Sequence, residues 1–398
     1  MTAVHEFPMT RTCPFAPPAV YEKIREEQPV LQVRLPGGRQ AWVVSRHEDV
    51  RTVLSDRRFS ADRLDPRFPH LVEGGTGFRQ QDERTMNSMD GLEHGQARRA
   101  VLGEFTARRL EALRPRIQRI VDERIDALLT GPNPGDLVTT VSLPVPSLVI
   151  CEMLGVPYTD HDFFETHTTK LVEFSTTPED RRASLEAIRG YMVDLIAAKE
   201  QEPSDDLLGR QIVKLREGGT YRRETLAELG LLLLAAGHET TANMISLSVV
   251  AFLRDPEQLA LIQADPGKTL DAVEEMLRYW SIVDAATDRL CVEDVEIGGQ
   301  RIRAGEGVLA LSYSANRDRR AFSDPDELDI TRGARHHVAF GFGPHQCLGQ
   351  NLARMELQTV FDTLFRRVPT LELAADVNEL SFKESADVYG LYRLPVTW

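Results

Sequence analysis

The sequence predicts a mainly α-helical chain with a small β part, and three observations carry that expectation. Helix-like apolar spacing recurs through segments 92–102, 106–130, 160–174, 179–200 and 205–217. A longer helical pattern runs from about Thr225 to Arg254 and stops at Asp255-Pro256, because proline cannot continue a helix. Strand-like patterns are confined to short stretches around 30–45, 297–310 and the C-terminal end. No internal repeat, low-complexity tract or linker divides the chain. One domain over 1–398 is therefore expected, with a β-rich N-terminal portion about 28–60, a helical body about 91–280 and a glycine-rich loop carrying a cysteine at 340–349.

Taken in order, Val30 to Ser45 reads as a β-hairpin. Val30, Leu31, Val33 and Leu35 precede a Pro36-Gly37-Gly38 turn, and Ala41, Trp42, Val43 and Val44 follow it. Ser45 is placed to cap a short helix carrying Val50, Val53 and Leu54. From Phe59 to Asp90 the pattern dissolves around Pro66, Pro69, Gly74, Gly75 and Gly77, and a loop of that length inside a compact domain is usually functional or disordered. After Gly91 the helices begin. Thr225 and Glu228 have the spacing of a capping box at the start of the longest one. A further helix spans about Thr269 to Tyr279, short strands surround Gly298-Gly299 and Gly305, and helix resumes from about Gly349 to Arg367.

Composition narrows the function classes. Charged residues at 27% and hydrophobic ones at 42% are ordinary for a globular protein, and a net charge of −14 argues against non-specific nucleic-acid binding. Cys13, Cys151, Cys291 and Cys347 are far apart, with no CxxC pair, which disfavours a zinc site or a disulfide framework and suits a reducing cytoplasm. Met1 to Thr10 does not read as a signal peptide. The most apolar run, Leu229 to Ala236, is stopped by His238 and Glu239, well short of the ~20 residues that span a bilayer. A cytoplasmic protein without a membrane anchor, acting as a monomer, is expected.

The sharpest motif is Phe340-Gly341-Phe342-Gly343-Pro344-His345-Gln346-Cys347-Leu348-Gly349. Glycines on either side of the cysteine let the backbone turn tightly and approach a flat ligand. The helix that follows, through Asn351 and Arg354, points its positive dipole end toward the sulfur and favours the thiolate. A second cluster, Ala236-Gly237-His238-Glu239-Thr240-Thr241, lies inside the longest helix. Gly237 there costs ~1 kcal/mol relative to alanine, tolerable where a helix must bend or leave room. An acid beside a hydroxyl can relay protons, although a polar break on a solvated face would look the same. Glu275 and Arg278, at i and i+3, share a helix face and by themselves read as a surface ion pair worth under ~1 kcal/mol. His94 and Arg98, at i and i+4, can reach one anion together.

Taken together these patterns resemble the cytochrome P-450 family, from Pro14-Phe15-Ala16-Pro17-Pro18 to the terminal strands. The cysteine loop is similar to the family's F-G-x-G-x-H-x-C-x-G signature, and the helix cluster to A-G-x-[DE]-T-T, with Glu where the family often has Asp. Ala242-Asn243-Met244-Ile245 and Ala315-Asn316-Arg317-Asp318 are closest to soluble actinomycete-type members. The resemblance implies the cytochrome P-450 fold and a haem b (iron protoporphyrin IX) cofactor whose iron is ligated by Cys347. It assigns proton delivery to Glu239 and Thr240, and anchoring of the haem propionates to His94, Arg98, Arg289 and His345. Glu275 and Arg278 match the family's ExxR, which forms a buried network with a later arginine, here Arg332 in Asp329-Ile330-Thr331-Arg332.

The implied activity is a monooxygenase that places one oxygen atom from O2 in a hydrophobic small molecule by hydroxylation or epoxidation. Electrons would come from NAD(P)H through a reductase and a ferredoxin. By resemblance the substrate faces loop 59–90, Phe163 to Phe174, Leu232 to Ala236, Ile282 to Thr287 and Ala386 to Leu391, with Leu232, Ala235, Ala236, Val283, Asp284 and Val388 as candidate pocket residues. Tailoring of a natural product such as a polyketide macrolide, as in antibiotic biosynthesis, is the expected use. Steroids, terpenoids and xenobiotics are the alternatives, with a nitric-oxide-reducing relative or a non-catalytic haem sensor further off. Asp284 has two readings in an apolar stretch: pairing with a structural group such as Arg289, or receiving a polar substrate group.

Overall fold

The computed structural model describes residues 5–71, 84–173, 175–284, 287–384 and 386–398. Residues 72–83 of the expected loop, Phe174, Ala285 and Ala286 lie outside the described residues. The chain forms two compact units, each made of two stretches: 1–97 with 271–348, and 98–270 with 349–398.

The first unit is built on a six-stranded sheet. Its strands lie in the order His5–Glu6, Val30–Arg34, Gln40–Val44, Gly307–Ala310, Asp288–Cys291 and Phe59–Ser60. The expected hairpin is present: Val30 pairs with Val44 and Arg34 with Gln40, and Gly37 and Gly38 turn the chain at φ +86° and +83°. Side chains alternate across a sheet with period two, and both faces here are apolar. Val30, Val44, Val308 and Ala310 join Val50, Val53 and Leu54 on one face. Leu31, Val33, Val43 and Leu309 join Tyr21 and Ile24 on the other. The stretch expected as loop from Phe59 instead begins as a strand, because Phe59 and Ser60 pair with Cys291 and Leu290.

Ser45 is not the cap of helix His47–Ser55. Its backbone N–H and its hydroxyl both donate to the Pro29 carbonyl, at 3.0 and 2.9 Å, and so continue the hairpin. The helix start is satisfied from a distance, by Asp318 Oδ2 accepting from the His47 N–H at 3.0 Å.

The second unit is helical. Its centre is the helix Arg223–Arg254, against which Pro144–Leu154, His161–Val172 and Pro178–Lys199 pack. The expected Thr225–Glu228 capping box is absent, because the helix starts at Arg223 and Thr225 already lies in its first turn. Glu228 turns inward and accepts from Arg189 Nε. Asp255 ends this helix, and its carboxylate accepts from the Gln258 N–H at 3.2 Å to start the next, Pro256–Ala264. Ala107–Thr130, Leu207–Glu217 and Gln350–Arg367 complete the main helices. A three-stranded sheet of Glu372–Leu373, Pro395–Thr397 and Gly135–Asp136 closes the unit. No helix among the described residues is long and apolar enough to cross a membrane.

One polar network sits in the interior of the first unit. Glu275 and Arg278, on the helix Thr269–Trp280, are both fully buried. Arg278 Nε and Nη2 donate to the two Glu275 oxygens at 2.8 and 2.7 Å, and Arg332 Nε donates to Oε1 at 3.1 Å. Arg278 also donates to the carbonyls of Asn316, Pro325 and Glu327, at 2.9, 2.7 and 3.1 Å. A surface pair would organise nothing, whereas this one gathers the chain between 316 and 332 around one carboxylate. Breaking a buried pair by removing one partner costs about 3–5 kcal/mol. Glu275→Gln should therefore lower the free energy of chemical unfolding by about that amount. A loss below about 1 kcal/mol would mean that the network behaves as a surface bridge.

Candidate active site

The cysteine loop is shaped by its backbone. The Gln346 N–H donates to the Gly343 carbonyl at 3.1 Å and the Cys347 N–H to the Phe340 carbonyl at 2.8 Å, which closes the loop on itself. Gly341 and Gly343 sit at φ +70° and +73°, the left-handed region that glycine enters without strain. At Gly343 a Cβ would also come within 2.6 Å of the Leu54 carbonyl oxygen. Phe342 packs against the apolar cluster that includes Val50 and Leu54, with the Arg51 guanidinium 4.2 Å over its ring. Cys347 is exposed on the first unit and takes part in no disulfide among the described residues. Burial pushes the Cys151 thiol up to about 12 and that of Cys291 up to about 11, so neither is a thiolate at neutral pH.

Three of the four expected anchoring residues share the first unit with the cysteine. The His94 and His345 rings stack at 4.0 Å, 25° from parallel. Asp90, which the sequence reading missed, stands 3.8 Å from His345 Nε2 and accepts from the Ser60 hydroxyl at 2.5 Å and the Ala61 N–H at 3.1 Å. Burial alone would raise its carboxyl, but the bonds from His345, Ser60 and Ala61 outweigh burial and hold it at about 2. Asp90 follows the last stretch of an unpatterned loop, so no periodicity marked it.

Arg289 is buried on the strand Asp288–Cys291, and desolvation lowers its guanidinium to about 10. Its hydrogen bond goes to the Asp288 carbonyl at 2.8 Å, while the Asp288 carboxylate is taken by Arg63 at 2.9 Å. Among the described residues no carboxylate hydrogen-bonds Arg289. Arg98 lies on the helix Gly91–Leu102, four residues after His94, and the division between the units falls just before it.

Asp284 follows the structural reading in kind, being held by groups of the protein, but not with the partner expected. It does not pair with Arg289. Its Oδ2 accepts from the Tyr21 hydroxyl at 2.6 Å and its Oδ1 from the Tyr313 N–H at 3.0 Å, so both oxygens are engaged within the protein. Of the other candidate pocket positions, Val283 is half-buried in the first unit. Leu232 and Ala235 are half-buried and Ala236 exposed on the long helix, and Val388 is buried in the second unit.

The acid–hydroxyl pair sits on that long helix. Gly237 makes room there, since a Cβ would come 3.3 Å from Ile150 Cδ1. Thr240 Oγ1 donates to the Ala236 carbonyl at 2.8 Å. Glu239 is 1% exposed. Its Oε1 accepts from Thr169 Oγ1 at 2.9 Å, and its Oε2 from Asn243 Nδ2 and Lys383 Nζ, each at 3.0 Å. Burial alone would raise the carboxyl, but Lys383 above all, with His238 and Thr169, holds it below the usual range. Burial pushes the neighbouring His238 imidazole below its ordinary value, and its Nδ1 lies 3.1 Å from Thr168 Oγ1. Sequence reasoning singled out Glu239 and Thr240 but not Thr169 or Lys383, which lie 70 and 144 positions from Glu239.

The family model described as Cytochrome P450 matches residues 268–385. The pentalenic acid synthase of Streptomyces avermitilis is 48% identical over 98% of this chain and 97% of that protein. The crystal structure of cytochrome P450 MoxA from Nonomuraea recticatena superposes with a TM-score of 0.93, at 57% identity over 100% of this chain and 99% of that one. The mycinamicin VIII C21 methyl hydroxylase MycCI of Micromonospora griseorubida superposes at 0.94, with 39% identity over 99% of this chain and 100% of that one.

The Asp90 geometry has a consequence for acid stability. A carboxylate whose folded value is lowered contributes stability that is full above its ordinary value, about 4, and fades as pH falls through the lowered one, about 2. Its side chain is 44% exposed, so solvent screening limits the contribution to roughly 1 kcal/mol. Asp90→Asn should thus be less stable than the parent at neutral pH, with the gap closing below about pH 4. Urea unfolding across that range reads the gap, and a difference independent of pH would remove the ionised role.

Proposed function

The chain belongs to the cytochrome P450 family of haem-thiolate monooxygenases, and from that premise we propose that it oxidises a natural product such as a polyketide macrolide, by hydroxylation or epoxidation. Haem suits the residues of the first unit on one observation above all. Arg289 is a buried guanidinium without a carboxylate partner among the described residues, and the same unit carries the two stacked imidazoles of His94 and His345, a donor set that matches a pair of propionates. When bound, the haem supplies the redox chemistry, with thiolate ligation favouring O–O cleavage.

In this reading Cys347 is the iron ligand, and His94, Arg98, Arg289 and His345 hold the propionates. Glu239 moves protons at its carboxylate and Thr240 at its hydroxyl. The observation that carries oxygen activation, rather than peroxide-driven use or plain haem binding, is Glu239. It is an ionised carboxylate kept inside a helical unit by dedicated partners, which a haem sensor has no need of. Electrons come from NAD(P)H through a reductase and a ferredoxin. Leu232, Ala235, Ala236, Val283 and Val388 are apolar and suit a hydrophobic substrate body. Natural-product tailoring is supported by near-whole-length likeness to proteins described as a pentalenic acid synthase and a mycinamicin VIII C21 methyl hydroxylase.

Three measurements test this. Purified holoprotein screened against macrolides, terpenoids, steroids and xenobiotics should give a substrate-type spectral shift with a natural-product class, and turnover of xenobiotics alone would overturn the proposed class. Cys347→His should abolish the strongly red-shifted Soret band of the reduced CO complex together with oxygenation, and survival of both would remove the thiolate assignment. Thr240→Ala should keep haem and substrate binding yet lower product formed per NAD(P)H by about tenfold or more, with the remaining electrons appearing as hydrogen peroxide. Unchanged coupling would refute the role given to Thr240.

A further inference from the structure

The Glu239 carboxylate is held by three separate parts of the second unit. Thr169 reaches it from the helix His161–Val172, Asn243 from one turn along its own helix, and Lys383 from the C-terminal segment. Lys383 and Glu239 are 6% and 1% exposed, and their atoms lie 3.0 Å apart. Among the described residues Lys383 is the one cation paired with Glu239. The segment that carries it is docked in a defined register. The Lys383 N–H donates to the Gly390 carbonyl at 2.8 Å, and Phe382 bridges to Leu391. At Gly390 a Cβ would fall 1.7 Å from Asn243 Oδ1, so only glycine lets this segment lie against the helix at that turn. Gly390 over Asn243 and Lys383 on Glu239 are thus two contacts of one docking.

The surroundings leave the lysine as the decisive group. From the helix His161–Val172, Glu165 and His161 face this cluster; from the C-terminal segment, Lys383 and Tyr392; from its own helix, His238. Burial and the nearby Glu239 push the Glu165 carboxyl up. Burial also lowers His238, which weakens it as a counter-charge. Without a cation, a carboxylate this deeply buried takes up a proton instead of remaining charged.

We propose that Lys383 is a positioning residue for oxygen activation: from the docked C-terminal segment its ammonium holds the Glu239 carboxylate ionised and in one orientation, so that proton transfer by Glu239 depends on it. This rests on the assignment of proton delivery to Glu239. A buried ionised carboxylate accepts a proton at a fixed oxygen and releases it again, whereas a neutral carboxyl in the same place has already taken its proton and turns to a different partner.

The test uses ferric holoprotein and the variants Lys383→Met, Lys383→Gln, Lys383→Arg, Glu239→Gln and the Glu239→Gln/Lys383→Met double variant, each checked for haem content and melting temperature. Lys383→Gln keeps a hydrogen-bond donor without the charge, and it replaces Lys383→Met if that variant loses haem. The first readout is the infrared carbonyl band of the protonated Glu239 carboxyl, taken as the difference between each protein and the same protein carrying Glu239→Gln, and followed against pH. Parent and Lys383→Arg should gain it only below the usual carboxylate range. Lys383→Met or Lys383→Gln should show it already near neutrality, and the double variant should lack it.

The second readout is hydrogen peroxide formed per NADPH oxidised with a surrogate ferredoxin and reductase. The uncharged Lys383 variants should raise the peroxide share severalfold and slow the coupled rate about tenfold, and Lys383→Arg should restore both. If Glu239→Gln raises the peroxide share while the uncharged Lys383 variants match the parent in both readouts, the proposal is overturned and Glu239 keeps its role. If Glu239→Gln itself behaves as the parent, the assignment to Glu239 falls and this proposal with it.

Discussion

The buried Glu275 carboxylate constrains the first unit more than any other single group. A charge taken out of water costs several kcal/mol unless every lone pair finds a donor, so the chain must come to it. Arg278 answers from the same helix, Arg332 from 57 residues further along, and the Asp329 N–H donates to Oε1 at 3.0 Å. The two guanidiniums have spare donors, and these in turn collect the carbonyls of Asn316, Ser323, Asp324, Pro325 and Glu327. A stretch without regular secondary structure is thereby ordered by charge rather than by a backbone ladder. The Asn316 side chain continues the order: its Oδ1 accepts from the Val338 N–H at 2.8 Å, two residues before the cysteine loop begins. The loop inherits its place from an ion pair that never touches it.

Four acids show how environment, not residue type, decides protonation. Glu239 and Asp90 are held below their ordinary values because cationic and N–H or O–H donors converge on them. Glu356 lies buried on the helix Gln350–Arg367 with no counter-charge among the described residues, and desolvation alone raises it well above the ordinary value. Asp284 is raised by burial too, although Tyr21 and the Tyr313 N–H oppose the rise. An acid meant to carry charge in a low-dielectric interior therefore has to be supplied with partners, and the partners reveal which acids those are.

Much of this was legible in the sequence where the cause is local. The helix spacing, the Gly37-Gly38 turn and the positive-φ glycines of the cysteine loop all follow from rules acting over a few residues. The readings that failed are those where a distant group supplied the answer. Ser45 looked like a cap, but Asp318 takes that place. Thr225 and Glu228 had capping-box spacing, yet Arg189 draws Glu228 inward. Asp284 was expected to pair with a structural group such as Arg289, and the group that holds it is Tyr21, 263 positions away. Asp90 and Lys383 carried no local pattern at all, because an isolated charged side chain reads the same whether it is solvated or buried against a partner.

The long helix shows why the acid needs help that its own sequence cannot give. Glu239 and Thr240 are neighbours, and successive side chains on a helix point in different directions. Thr240 satisfies its hydroxyl locally, on the Ala236 carbonyl one turn back. That bond leaves nothing of Thr240 to offset the desolvation of Glu239, so the carboxylate must be compensated from elements that pack against the helix. Thr169 and Lys383 do so from both directions in sequence, one before the helix and one after it. A helix carrying the same six-residue cluster without those elements would hold a neutral acid with its motif intact. In the proposed role of Glu239 the motif supplies the acid, and the docked C-terminal segment supplies the cation that keeps it charged.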